Sequence, residues 1–171
     1  MTGDQQVTVE TAAGMQALGR RLAGLLRAGD LIILSGTLGA GKTTLVQGIG
    51  AGLGVRGPVT SPTFVIARIH PSLTGGPDLV HADAYRLASP AEVDDLDLDE
   101  AMSSSVTVVE WGGGLAEGLA ADRLEITITP LEATVPAAEE TRTVRITGHG
   151  ARWTAVSDSA FLALSTSSEA L

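Results

Sequence analysis

At 171 residues the chain has the length of one domain, or of one domain with a tail; its 44% hydrophobic content can bury a core, which must be aliphatic because aromatics are only 3%. A net charge of −9 argues against a basic face that holds nucleic acid unaided, since such binding neutralises phosphates with Lys and Arg. The absence of cysteine excludes disulfides, thiolate metal sites and a Cys nucleophile, and no apolar run approaches the roughly 18 residues of a membrane span.

The opening residues, Met1 to Gln6, have neither a basic stretch nor an apolar one of the kind that directs secretion, so a cytoplasmic address is expected. Val7 to Val9 has strand character. Thr11 is a good helix cap, and Met15, Leu18, Leu22, Leu25 and Leu26 recur at helical spacing up to Gly29-Asp30. Leu31 to Leu34 is a short apolar run of strand length. It feeds Gly36-Thr37-Leu38-Gly39-Ala40-Gly41-Lys42-Thr43, which matches G-x-x-x-x-G-K-[ST] at every position. A helix follows from Thr43 to Leu53, with Leu45, Ile49 and Leu53 on one face. Gly48, Gly50 and Gly52 each weaken it by roughly 1 kcal/mol against Ala, so packing or a bound anion must hold it.

Gly57-Pro58 breaks the chain, and Phe64 to Ile69 reads as a strand. Pro71 to Pro77 is a loop. Leu79 to Asp83 and Val106 to Glu110 are apolar runs that each close on a carboxylate. Between them Ser89-Pro90-Ala91-Glu92 is a capping box, a helix start. The acids from Glu92 to Glu100 number six in nine residues, and lack the spacing of a calcium loop; they read as a solvated helix and loop. Leu124 to Thr129 alternates, and Thr143 to Thr147 is a candidate partner for it. The alternation of strands and helices predicts an α/β fold: a P-loop nucleoside triphosphatase with a mostly parallel sheet, helices on both faces and a late antiparallel portion. The expected domain spans 1–148. Residues 149–171 are expected to form a weakly ordered tail, with one short helix around Phe161 to Leu164.

The glycine-rich loop carries the chemistry. A loop leaving a buried strand and entering a helix aims backbone N–H groups and the positive end of the helix dipole at one point, where phosphate oxygens fit. Gly39, Ala40, Gly41, Lys42, Thr43 and Thr44 are the expected nucleotide contacts. Lys42 reaches the β- and γ-phosphates and the Thr43 hydroxyl takes a position on Mg²⁺. Lys42 is the only lysine; the ten other basic residues are arginine. A second Mg²⁺ contact is expected from an acid at the end of a buried strand, and Asp83 and Glu110 compete for it. Ser61-Pro62-Thr63-Phe64 is a polar turn where such enzymes place a segment that senses the γ-phosphate. Trp111, directly after Glu110, is either core or a contact for a partner. No asparagine occurs anywhere, so the Asn-Lys-x-Asp reader of guanine is excluded.

Taken in order, the loop Gly39 to Thr44, Thr60-Ser61-Pro62-Thr63-Phe64, His81-Ala82-Asp83-Ala84-Tyr85-Arg86-Leu87, Val109-Glu110-Trp111 and Ala121-Asp122-Arg123-Leu124 resemble the TsaE (YjeE) ATPases of bacterial tRNA threonylcarbamoyladenosine synthesis. The resemblance covers roughly residues 7 to 130. Ala82, Ala84 and Gly112 to Gly114 depart from the usual pattern, and beyond Gly148 no motif matches. The resemblance implies an ATPase that uses ATP and Mg²⁺, with Lys42, Asp83 and Glu110 catalytic and Thr43 and Glu110 on the metal. It implies that Ser61, Thr63, Phe64 and Trp111 are switch or partner residues. It also implies action on a TsaB–TsaD heterodimer, which threonylcarbamoylates adenosine 37 of tRNAs reading codons that begin with A; ATP turnover resets that heterodimer, and tRNA is met only through it. The competing readings are a small-molecule kinase, for which no basic lid is visible, and an adaptor that binds ATP without hydrolysing it.

Overall fold

A computed structural model describes residues 4–37, 39–60, 67–84, 101–111, 120–130, 141–156 and 158–165. In chain order the elements are β1 (Asp4–Val9), α1 (Ala12–Ala23), β2 (Leu31–Gly36), α2 (Lys42–Leu53), β3 (Ala67–His70), β4 (Asp78–Asp83), β5 (Ser105–Glu110), β6 (Arg123–Pro130), β7 (Arg142–His149), α3 (Ala151–Thr154) and α4 (Asp158–Ser165). Seven strands form one sheet in the order β1-β7-β6-β2-β5-β4-β3. The four central strands, β6-β2-β5-β4, are parallel. The late antiparallel portion is β6 with β7, and β1 joins it from the far N-terminal end. A second antiparallel pairing, β3 on β4, closes the opposite edge. The sheet is thus parallel at its centre, where the loop arises, and antiparallel at both margins.

The strand-length apolar runs form strands because both faces of the central sheet are covered. Every residue of β5 is buried, the pattern of a parallel strand between layers. On one face Ile32, Leu34, Val106, Val108 and Leu79 meet Leu18, Leu22, Leu45 and Ile49 of α1 and α2. On the other face Leu31, Ile33, Val80, Ala82 and Val109 form a smaller cluster covered by Met102, with Ala101 and Ala120 against it. Thr11 caps α1 as expected, its side chain accepting from the Gly14 N–H at 3.0 Å. The α1 helix stops at Ala23, short of Gly29, and Leu25 and Leu26 continue as hydrogen-bonded turns onto the Leu22 and Ala23 carbonyls.

The expected weak order after Gly148 is corrected for residues 151–156 and 158–165, and the short helix expected around Phe161 to Leu164 lies within α4. Residues 151–165 contribute two helices, and Trp153, Phe161 and Leu164 are core residues. The physical reason is that the antiparallel margin presents apolar surface on β6 and β7, with Leu124, Ile126, Val144 and Ile146 in the cluster that this segment completes. Trp153 fills it, packing over Gly148, with the Phe161 ring 6.3 Å away. The strand expected from Phe64 begins, within the described residues, at Ala67; the Ser89 capping box and the acidic run lie outside them.

Candidate active site

The loop between β2 and α2 rises at the C-terminal ends of the parallel strands, the side on which such sheets bind ligands. Gly39 and Gly41 hold φ of 79° and 106°, a left-handed conformation that side-chain-bearing residues adopt rarely. Gly41 is the residue preceding α2, so no side chain caps that helix, and its first turn contains no acid. The first N–H groups of a helix have no partner within it. Here the loop beside them leaves open space at Gly39, the setting in which a helix start can receive an anion.

Lys42 is buried, 7% exposed, and its ammonium donates to the Gly36 carbonyl at 2.8 Å and the Thr37 carbonyl at 3.0 Å. Its Nζ also lies 3.9 Å from the centre of the Trp111 ring. Burial pushes the Lys42 ammonium below its ordinary value, while the charges of Glu110 and then Asp83 pull it back up. Both acids therefore act on the lysine.

The sheet puts them there. Asp83 and Glu110 are register partners at the ends of β4 and β5, and Glu110 is also the partner of Leu34 on β2. Because strand side chains alternate, His81, Asp83 and Glu110 share the α2 face with Leu79, Val106 and Val108. All three are buried. His81 Nε2 lies 3.2 Å from Glu110 Oε2. The two atoms are at hydrogen-bond distance but off the preferred direction, so neither ring nitrogen has an aligned partner. The chain turns sharply after Glu110: Trp111 has φ 60°, its N–H donates to the Leu34 carbonyl at 2.8 Å, and the Glu110 carbonyl accepts from Ala84 N–H at 2.8 Å.

No group of three or more His, Asp or Glu that could hold a metal ion exists among the described residues. Mg²⁺ that arrives with a nucleotide takes one or two protein oxygens and fills its other positions with phosphate and water. The Thr43 hydroxyl and the Glu110 carboxylate are hard oxygen donors of the required kind.

A family model described as "Threonylcarbamoyl adenosine biosynthesis protein TsaE" matches residues 9–140. The chain belongs to the TsaE family. It is 63% identical over 140 residues to the tRNA threonylcarbamoyladenosine biosynthesis protein TsaE of Streptomyces coelicolor, covering 81% of this chain and 93% of that protein. To the protein of the same name from Mycobacterium leprae it is 50% identical over 127 residues, covering 70% and 79%. Among solved structures, Bacillus subtilis YdiB superposes with a TM-score of 0.74 at 28% identity and covers 96% of both chains. The fold is that of a P-loop TsaE protein.

Within this TsaE-family site the structure brings Gly39, Ala40, Gly41, Lys42, Asp83, Glu110 and Trp111 to one crest, with Thr43 and Thr44 opening α2 beside them. Ser61, Thr63 and Phe64 lie outside the described residues. Sequence reasoning missed two features. A cavity of about 210 Å³ beside the loop is lined by Gly39, Ala40, Gly41 and Thr44 on one side and by Thr11, Ala12, Met15 and Arg142 on the other. Thr11 is legible only as a cap, and Arg142 lies just before the strand expected from Thr143 to Thr147; the antiparallel register that pairs Val9 with Arg142 joins them. The second is His81, visible as a motif letter but with no sign that it would approach Glu110.

Proposed function

We propose that ATP binds with Mg²⁺ at the β2–α2 loop, with its triphosphate on the N–H groups of Gly39 to Thr44 and its base and ribose in the cavity between Thr11, Met15 and Arg142. As a TsaE-family member the chain is a P-loop ATPase of tRNA threonylcarbamoyladenosine biosynthesis. The observation that carries the site reading is the sole lysine, buried at an uncapped helix N-terminus with Glu110 and Asp83 acting on it.

Transfer of a γ-phosphoryl group to water has a loose transition state, so catalysis is mostly placement of charge. When bound, Mg²⁺ supplies neutralisation of charge on the phosphate oxygens. Thr43 and Glu110 would hold it. Lys42, released from the Gly36 and Thr37 carbonyls, would place its charge against the β- and γ-phosphates. Asp83, one strand beyond Glu110, would orient the water or the γ-phosphate. Ser61, Thr63, Phe64 and Trp111 would carry the state of the nucleotide to a TsaB–TsaD heterodimer, which turnover would reset between cycles. The protein would work in the cytoplasm and meet tRNA only through that complex; the described residues include no helix long and apolar enough to cross a membrane.

The test is phosphate release from ATP by this chain alone and with its TsaB–TsaD pair, with Mg²⁺ and with chelator, alongside formation of the modified adenosine. Mg²⁺-dependent release that supports modification, both lost in Lys42→Ala with the melting temperature retained, is expected. Modification that proceeds fully with Lys42→Ala would sink the reading.

A further inference from the structure

We propose that His81 is a positioning residue for Glu110, tethering one oxygen of that carboxylate so that the other stays directed at the metal site. The proposal rests on the reading of Glu110 as a Mg²⁺ ligand. Lys42 and Glu110 attract each other across one small site, and their simplest response would be to collapse into an ion pair. Among the described residues no such ion pair exists. Each group is held by something else: Lys42 by two carbonyls and the Trp111 ring, Glu110 by the approach of His81 Nε2 at 3.2 Å. Had they paired, the lysine would be withdrawn from the phosphates and the carboxylate from the metal.

His81 is suited to the task by its place. It stands opposite Val108 on β5 and opposite Arg68 on β3, so it sits diagonal to Glu110 on the same face, within reach of a long side chain. Its side chain is fully buried between two strands, which fixes the ring. Its Nδ1 is buried with no partner, a loss that an aliphatic residue in its place would avoid. The ring serves something other than packing. Orientation of a metal ligand by an outer partner changes metal affinity by about 10–100-fold.

The experiment compares affinity for a non-hydrolysable ATP analogue, measured by calorimetry with Mg²⁺ and with chelator, in the wild type, His81→Leu, His81→Gln and His81→Asn. The Mg²⁺-dependent gain in affinity is expected to fall by about tenfold or more in His81→Leu, with the Mg²⁺-free affinity unchanged. His81→Gln, whose amide nitrogen reaches about as far as Nε2, should recover most of the gain, and His81→Asn, one methylene shorter, should not. Unfolding midpoints should run in a different order, with His81→Leu at least as stable as the wild type. An undiminished gain in His81→Leu overturns the proposal, as does failure of His81→Gln alongside a folded His81→Asn that behaves normally. Glu110→Gln serves as the control: if it leaves the gain intact, Glu110 is not the ligand and the underlying reading fails, whereas a lost gain there with a normal His81→Leu condemns the tether alone.

Discussion

At the scale of single residues the site is organised around a buried cation and the groups that keep it in place. Lys42 spends its donors on the Gly36 and Thr37 carbonyls and its charge on the Trp111 ring. A cation over an indole is worth about 0.5–2 kcal/mol, depending on how dry the pair is. The ring gets there because the backbone of Trp111 is left-handed, which is disfavoured by about 1–2 kcal/mol for a residue with a Cβ. Strain and contact are therefore of similar size, and substitutions separate them. Trp111→Ala removes the ring and keeps the strain, whereas Trp111→Gly removes both. Denaturant unfolding should find Trp111→Gly more stable than Trp111→Ala by about 1 kcal/mol, although glycine usually loses to alanine. Both variants should alter ATP affinity equally and by less than about tenfold, since both lack the ring. Equal stability of the two would show that the φ of 60° carries no strain.

At the scale of elements, α2 is aimed by its crossing with α1, and that crossing is made of glycines. A Cβ on Gly48 would overlap the backbone carbonyl of Gln16, and one on Gly19 would overlap the Leu45 carbonyl and stand 2.8 Å from Ile49 N. Backbone cannot turn aside as a side chain can, so the helices would have to separate. Helix propensity favours alanine by about 1 kcal/mol, but overpacking of about 1–3 kcal/mol opposes it, and at Gly48 the obstacle is main chain. Gly48→Ala should therefore destabilise by about 1–2 kcal/mol in urea and weaken nucleotide binding, because α2 carries Lys42 and Thr43. Gly50→Ala, which would meet side-chain methyls of Val59 at 3.0 Å and Val55 at 3.3 Å, should be near neutral. A stabilising Gly48→Ala would show that the helices part freely. The same crossing marks a limit on what the sequence discloses. Leu45, Ile49 and Leu53 announced the buried face of α2, since a helical period is local. The glycines read only as a weakness, because their use depends on the path of another helix.

At the scale of the whole molecule the legible parts are those fixed by local pattern: the phosphate loop, the carboxylate-ended strands β4 and β5, and the pairing of β6 with β7. Less legible was anything set by strand order, such as β1 joining β7, Arg142 reaching the loop cavity, or β3 running antiparallel at the edge. The C-terminal segment is the clearest case. Its Ser- and Ala-rich composition read as weak order, yet its Trp153, Phe161 and Leu164 lie in the core. The Arg152 guanidinium makes two bonds to the buried Asp30 carboxylate, at 3.2 and 3.0 Å, donates to the Leu25 carbonyl at 2.7 Å and stacks 4.2 Å from the Trp153 ring. Asp30 also accepts the Arg27 N–H at 2.8 Å and immediately precedes β2, so the tail clamps the turn that launches the central strand. Truncating Trp153 to alanine should cost about 3–5 kcal/mol, and removing Arg152 leaves a buried charge without its partner, a loss of about 3–5 kcal/mol. Total stability of a domain is about 5–15 kcal/mol, so losing both together consumes most of it. A chain ending at Gly150 should therefore be unfolded or aggregated at 25 °C, whereas Trp153→Ala should fold with a lowered urea midpoint and intact ATP binding. A truncated chain that unfolds at the wild-type midpoint would mean that these helices rest on a core complete without them.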